Sequence, residues 1–385
     1  MTKIYRDNLK RTFEKSEIGQ LIVHTPEGEE IIFKGSKEGC HCDFFIKDWK
    51  TVELILKRGD IGLGEAYHEG YWDTSNLTDF LTYCSDNINY LKNAGNANYF
   101  NKMVFYFYNQ FVRINTKYGS RKNIFAHYDI GNDFYRLWLD PSMTYSSAMR
   151  CNPNDSLEQA QLNKYNRIID VLSLEDKNVL EIGCGWGGFA DQAHKIGANV
   201  TGITISDSQY RFAKDRLNDK AKILIKDYRD IDSKYDRIVS IEMFEAVGEK
   251  YWQTYFEKIR GSLVKGGRAV IQTITIADEA FDQYRKSSDY IRHHVFPGGM
   301  LPSNSIFCAH VKKAKMDVVS MFEFGQDYAW TLRQWQKNFI ASKEHLVNMK
   351  FSSTFLRAWD FYLSMCIAGF ESRRTNVAQF ELVCD

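Results

Sequence analysis

The chain has 385 residues, of which 50 are basic and 49 acidic, a formal net charge of +1. Bulk electrostatics therefore does not favour nucleic acid as a substrate, and the length suggests two domains, one large enough for a complete α/β core. No stretch reaches the roughly eighteen apolar residues of a membrane span, and the opening MTKIYRDNLKRTFEKSEIG lacks the apolar core of a secretory signal. Eight cysteines are scattered, apart from Cys40-His41-Cys42, which has no second ligand pair at zinc-like spacing, so no metal site is expected. A reducing cytoplasm is the simplest compartment.

Residues 1–92 read as a small α+β domain. Ile4, Leu9 and Phe13 fall roughly on one side of a helix that also carries Lys3, Arg6, Lys10, Arg11 and Lys15. Such a helix suits an anionic bilayer surface or a plain solvated face, and both readings stand. Two apolar runs, 21–25 and 30–33, flank a Pro-Glu-Gly turn and predict a hairpin. The stretch 59–67 reads as a glycine-rich turn before a helix. Residues 93–122 form a linker: 99–114 is aromatic but too polar and short to span a bilayer, and the asparagines and Gly119 suit a hinge.

From 123 to 385 the pattern is that of a doubly wound α/β domain. Strands are predicted at 179–182, 199–204, 223–226, 237–241 and 267–274, with helical stretches between them. Two late strands, at 318–324 and 380–383, complete a seven-stranded, mostly parallel sheet. A helix over 251–263 is expected to stop at Lys265-Gly266-Gly267. Residues 276–316 and 328–376 are long insertions suited to covering a substrate. Tyr, Phe and Trp make up 15% of the chain, enough to fill a core or line an apolar channel.

The first strand of that domain ends in Glu181 and breaks at once into four glycines, Gly183, Gly185, Gly187 and Gly188. Such glycines turn the chain tightly and let a ligand approach with no Cβ in the way, while the N–H groups of the helix at 189–195 point back at the turn. Gly183, Gly185 and Gly188 also satisfy the dinucleotide pattern, but the second strand ends without the ribose-binding acid that reading requires. The acid before the glycines instead resembles the first motif of the S-adenosylmethionine (SAM) methyltransferases.

Further pieces extend the resemblance. They are Gly62-Leu63-Gly64-Glu65-Ala66-Tyr67 with Gly70-Tyr71-Trp72, 127–135 (HYDIGNDFY), 143–148 (MTYSSA), 204–209 (TISDSQ), 227–230 (DYRD), 243–248 (MFEAVG), 324–328 (FGQDY) and 366–370 (CIAGF). In this order they resemble the cyclopropane-fatty-acyl-phospholipid synthases and their cousins, the mycolic acid methyltransferases, over nearly the whole chain. The resemblance implies a Rossmann-like class I SAM-dependent methyltransferase that adds a methylene to cis double bonds of phospholipid acyl chains. It also implies a homodimer associated peripherally with the inner membrane surface, and a bound bicarbonate as the base.

Carried over residue by residue, the resemblance makes Glu245, Tyr328, Ser147, Gln272, Ile274 and Cys366 the catalytic group. The bicarbonate hydroxyl would donate to Glu245, and its other oxygens would accept from the Ser147 and Ile274 N–H groups, Gln272 and Tyr328. Read without it, Glu245 is a helix N-terminal acid, Tyr328 a core aromatic and Cys366 a buried inert thiol. His127 is read as a buried hydrogen-bonding residue. For the cofactor, Glu181 is one of the binding residues, and Gly183 and Gly185 would pass under the methionine portion, with Tyr145 and Ser146 nearby. Thr204, Ile205 and Gln209 would meet the ribose and adenine, and Asp227 and Tyr228 the adenine. The family commonly has cysteine at position 147 and histidine at 272. Ser147 keeps its backbone N–H, while Gln272 keeps a donor but cannot titrate near neutral pH. A lipid methyltransferase that stops at a methyl branch is the nearest alternative activity, and a lipid-binding adaptor the nearest alternative class.

Overall fold

A computed structural model describes residues 2–91 and 130–384. The expected hinge at 93–122 and His127 lie outside the described residues.

The N-terminal unit opens with the helix Thr2–Phe13 and the strands β1 (Ile18–His24), β2 (Glu30–Lys34) and β3 (Lys37–Ile46). Helices Lys50–Arg58 and Asp60–His68 follow, then β4 (Trp72–Asp73) and the helix Leu77–Asp86. The sheet order is β2-β1-β3-β4, with β1 and β2 forming the expected antiparallel hairpin. Along β1 alternate residues are buried, so Leu21 and Val23 point into the core. On the first helix Leu9 and Phe13 are buried in that same core, whereas Ile4 is 62% exposed. The apolar face of this helix is therefore used inside the protein, which favours the plain surface-helix reading.

Residues 59–67 differ from expectation. Gly59, at φ +62°, is the break between two helices, and Gly62 and Gly64 sit inside the second of them. A Cβ on Gly64 would lie 2.3 Å from the Tyr290 ring, and one on Gly62 would lie 2.1 Å from the Leu54 carbonyl oxygen. These glycines permit close packing, a requirement set by residues distant in sequence and invisible in local composition.

The second sheet comprises β5 (Asn178–Ile182), β6 (Asn199–Thr204), β7 (Lys222–Ile225), β8 (Tyr235–Ile241), β9 (Leu263–Ile276), β10 (Asp317–Glu323) and β11 (Thr375–Val383). Its order is β10-β11-β9-β8-β5-β6-β7. The five strands from β7 to β9 run parallel, and β11 runs antiparallel to both its neighbours. β5 is buried from its second residue onward, as a central parallel strand requires. The helix Trp252–Ser262 ends before its expected glycine stop. β9 has already begun, and Gly266 at φ +70° lies within that strand.

The two insertions fold as helices, Asp278–Lys286 and Asn304–Lys313 in the first, and Gly325–Ala341, Lys343–Asn348 and Ser353–Glu371 in and around the second. One continuous core joins Phe44, Trp72 and Phe80 of the N-terminal unit to Phe361 and Tyr362 of the last helix. The junction is specific: Thr78 Oγ1 lies 3.2 Å from Ser364 Oγ, and Arg357 donates to the Tyr67 carbonyl (2.7 Å) with its guanidinium 3.9 Å over the Tyr67 ring.

Candidate active site

The strand order reverses between β5 and β8, which opens a crevice at their carboxyl ends where ligands of such sheets collect. A cavity of 860 Å³ begins there and reaches Leu56, Leu63, Leu81 and Ile88 of the N-terminal unit. At its floor Gly183 and Gly185 have φ +82° and +52°. A Cβ on Gly183 would come within 2.9 Å of the Met243 side chain, so glycine is required both by the turn and by this close approach.

Glu181 is 3% exposed, and its Oε2 is buried without a hydrogen-bond partner among the described residues. Burial pushes its carboxyl up to about 8, with the charge of Lys164 opposing. An orphaned buried carboxylate oxygen beside an open glycine turn is a site awaiting a donor, and an amino group on a bound cofactor fits it. Lys164 is itself fully buried, donating to Ser146 Oγ (2.6 Å) and to Gln161 Oε1 (2.7 Å). Desolvation brings its ammonium down to about 7, against the pull of Glu242, Asp140 and Glu181.

At the other wall stand two glutamates. Glu242 follows β8 directly and Glu245 lies one turn later, in the short helical turn Phe244–Ala246. Glu242 Oε1 accepts from the Ser147 N–H (2.8 Å) and from Gln272 Nε2 (2.7 Å), and its Oε2 accepts from the Tyr328 hydroxyl (2.5 Å). Glu245 Oε1 accepts from Thr273 Oγ1 (2.9 Å) and from the Ile274 N–H, while its Oε2 is buried and has no partner among the described residues. Burial raises both carboxyls, Glu245 to about 8 with the Glu242 charge adding to the effect. Two acids this close hold one proton between them. Three donors stabilise the anion on Glu242, which leaves the proton with Glu245. Glu242 also sits at φ +51°, a left-handed conformation that costs a non-glycine residue about 1–2 kcal/mol.

Most of the expected residues meet around this one cavity. Tyr145, Ser146, Glu181, Gly183, Gly185, Thr204, Ile205, Gln209, Asp227 and Tyr228 line it, as do Glu245, Ile274, Tyr328 and Cys366. Thr204 donates to Gln209 (2.9 Å), tying the second strand to the next helix. The Asp227 carboxylate is clasped by Arg229 (2.7 and 2.8 Å). Tyr228 packs edge-on against Tyr255, so it is partly a core residue. Tyr145 shares a hydroxyl contact of 2.8 Å with Tyr362. The Tyr328 ring lies 4.5 Å from Phe370, and burial, then the Glu242 charge, holds its hydroxyl protonated. Burial among apolar neighbours likewise pushes the Cys366 thiol up, which disfavours a thiolate nucleophile.

One expectation needs correcting. Ser147, Gln272 and Tyr328 do not converge on an open anion site beside Glu245; all three donate to Glu242, and Ile274 donates to Glu245 itself. A bicarbonate held by those four donors does not fit this arrangement. Glu242 was missed, although an acid at the end of an apolar strand, the position Glu181 occupies on β5, was available as a signal. Lys164 had no comparable signal, being one lysine in an ordinary amphipathic helix, Leu157–Leu172.

Against known proteins, residues 115–380 match the family model for mycolic acid cyclopropane synthetase. The chain is 33% identical over 343 residues to tuberculostearic acid methyltransferase UfaA1 of Mycobacterium tuberculosis, covering 86% of this chain and 80% of that one. It is 32% identical to the cyclopropane-fatty-acyl-phospholipid synthase of Escherichia coli K12, over 88% of this chain and 86% of the relative. Among solved structures, mycolic acid cyclopropane synthase CmaA1, complexed with SAH and CTAB, superposes with a TM-score of 0.64 at 28% identity, covering 68% of this chain and 98% of that one.

Proposed function

The chain belongs to the mycolic acid cyclopropane synthetase family and is a SAM-dependent methyltransferase of the class I fold, and from that premise we propose that it is a cyclopropane-fatty-acyl-phospholipid synthase. Its substrate is then the cis double bond of a phospholipid acyl chain. The observation that carries this reading is the cavity, whose lining extends from the glycine turn, past the half-buried carboxylates Glu242 and Glu245, to an apolar stretch at Leu56, Leu63 and Leu81.

Bound SAM supplies an electrophilic methyl group. Gly183 and Gly185, with Tyr145, Ser146 and Glu181, are the residues to hold its methionine portion, and Thr204, Ile205, Gln209, Asp227 and Tyr228 its nucleoside. The alkene needs no deprotonation before it reacts. The chain's own work is to orient the double bond, exclude water and shelter the cation left on the acyl chain. Tyr328 offers a ring face and Glu242 an anion for that purpose. A base must then remove one proton.

Residues 1–92 are read as the lipid-facing domain, 93–122 as its linker and 123–385 as the catalytic domain. The enzyme works as a homodimer, peripherally bound at the inner membrane surface. No helix among the described residues is long and apolar enough to cross a membrane, which is compatible with peripheral attachment. A second reading, methyl transfer ending in a methyl-branched or methylene-branched chain, draws support from Gln272 and from the similarity to a tuberculostearic acid methyltransferase.

Incubation with dioleoyl phospholipid vesicles and methyl-labelled SAM tests the proposal. The expected result is release of S-adenosylhomocysteine and lipid heavier by one CH₂ that resists hydrogenation. A labelled product that hydrogenates would instead establish the branched alternative. Vesicle binding without S-adenosylhomocysteine would leave only a lipid-binding adaptor.

A further inference from the structure

We propose that Glu242 is the base of this active site, a carboxylate built into the chain at the place where an exchangeable bicarbonate was expected. The inference rests on the alkene-alkylating reading given above and goes beyond it in naming the proton acceptor. Three observations carry it. First, the donors suited to an oxyanion, the Ser147 N–H, the Gln272 amide and the Tyr328 hydroxyl, all close on Glu242, at 2.8, 2.7 and 2.5 Å. Second, the amide is fixed in that orientation. Gln272 Oε1 accepts from Gln379 Nε2 (3.0 Å), and Gln379 Oε1 accepts from Arg167 (2.6 Å), so a relay beginning at a guanidinium ends on Glu242. Third, Glu242 is held in left-handed backbone, at φ +51°, where glycine is the easy residue. Strain of this kind persists only where the surrounding structure holds it, and such positions cluster at active sites. Glu242 also lines the cavity beside Met243 and Tyr328, within the space the acyl chain would occupy.

The chemistry balances without a further reactant. The alkene π pair forms a carbon–carbon bond to the methyl carbon as the carbon–sulfur bond breaks, its electron pair going to sulfur. Positive charge passes to the neighbouring acyl carbon. A Glu242 oxygen lone pair takes a proton from the methyl carbon just added, and the released C–H pair closes the three-membered ring. Glu242 is left as the neutral acid and gives its proton to water before the next cycle.

The test uses the full-length enzyme, dioleoylphosphatidylglycerol vesicles and SAM, in buffer stripped of carbon dioxide and then with bicarbonate restored. Wild-type turnover is expected to be the same in both. Glu242→Gln keeps the shape and, through its one oxygen, the bonds from Ser147 and Gln272, turns the Tyr328 contact round so that the amide donates, and is no base, so product formation should fall by roughly 10²–10⁴-fold while calorimetric SAM binding persists. Glu242→Gly suits the left-handed backbone and vacates the donors. It should be nearly inactive in stripped buffer and recover by at least about tenfold when bicarbonate is added. Wild-type turnover that collapses without bicarbonate and returns with it would overturn the proposal, as would an active Glu242→Gln, or a Glu242→Gly that binds SAM yet ignores bicarbonate. If the Gln variant fails to fold, the wild-type and Gly arms still decide. A wild-type enzyme that consumes no SAM under any condition would instead sink the alkylation reading itself.

Discussion

Two acids stand near the carboxyl ends of neighbouring strands, Glu181 within β5 opposite Val239 and Glu242 just beyond β8, and they are in opposite states. Among the described residues Glu181 is buried with one oxygen unpartnered, whereas both oxygens of Glu242 are taken by three donors from distant parts of the chain. The first is a half-made interaction that a ligand completes; the second is finished by the protein. On the proposed reading the first belongs to cofactor binding and the second to the chemistry, a division that substitution tests.

The largest effect expected is a crossed pair of losses. Glu242→Gln should lose turnover by roughly 10²–10⁴-fold with little change in SAM affinity. Glu181→Gln should weaken SAM binding by about 1.5–3 kcal/mol, the worth of one charge-assisted hydrogen bond, with turnover largely restored at saturating cofactor. Calorimetry and single-turnover rates read the two separately. Equal loss of affinity in both variants would erase the distinction.

Next comes Tyr328→Phe, which removes one of the three donors from Glu242. A fall of about tenfold in turnover, with product unchanged, is expected from the loss of a single hydrogen bond to a charged group. A fall as large as that of Glu242→Gln would make Tyr328 more than a positioning residue.

A smaller effect concerns stability. Glu181 and Glu245 are each raised to about 8 in the folded protein. A carboxyl with a raised folded pKa favours the folded state most below its unfolded pKa, and that contribution is lost as pH rises through the folded value. Melting temperature should therefore decline from about pH 5 to about pH 8, and Glu245→Gln should flatten the decline. A melting temperature that rises over this range would contradict the assigned shifts. The least effect is expected at Cys366, whose thiol has no reason to ionise: Cys366→Ser should keep turnover within about threefold.

Much of this was legible in the sequence because it is local. β5 announces itself by four buried apolar and acidic residues followed by glycines, and the remaining strands by apolar runs between helices. The role of Glu242 was not, because its partners lie 95, 30 and 86 residues away. A single acid at a strand end has no visible function until Ser147, Gln272 and Tyr328 close around it. Gly64 failed for the same reason, since Tyr290 and Phe361 dictate its size. The N-terminal helix shows a subtler case: the pattern gave its apolar residues, but only the fold shows Leu9 and Phe13 turned inward and Ile4 outward.

Ring closure by this route requires a proton to leave the very carbon that SAM delivers. Mass spectrometry of lipid made with SAM bearing a CD₃ group reads this directly. Product retaining two of the three deuterium atoms is the predicted result. Product retaining all three, or lipid carrying no label, would contradict it.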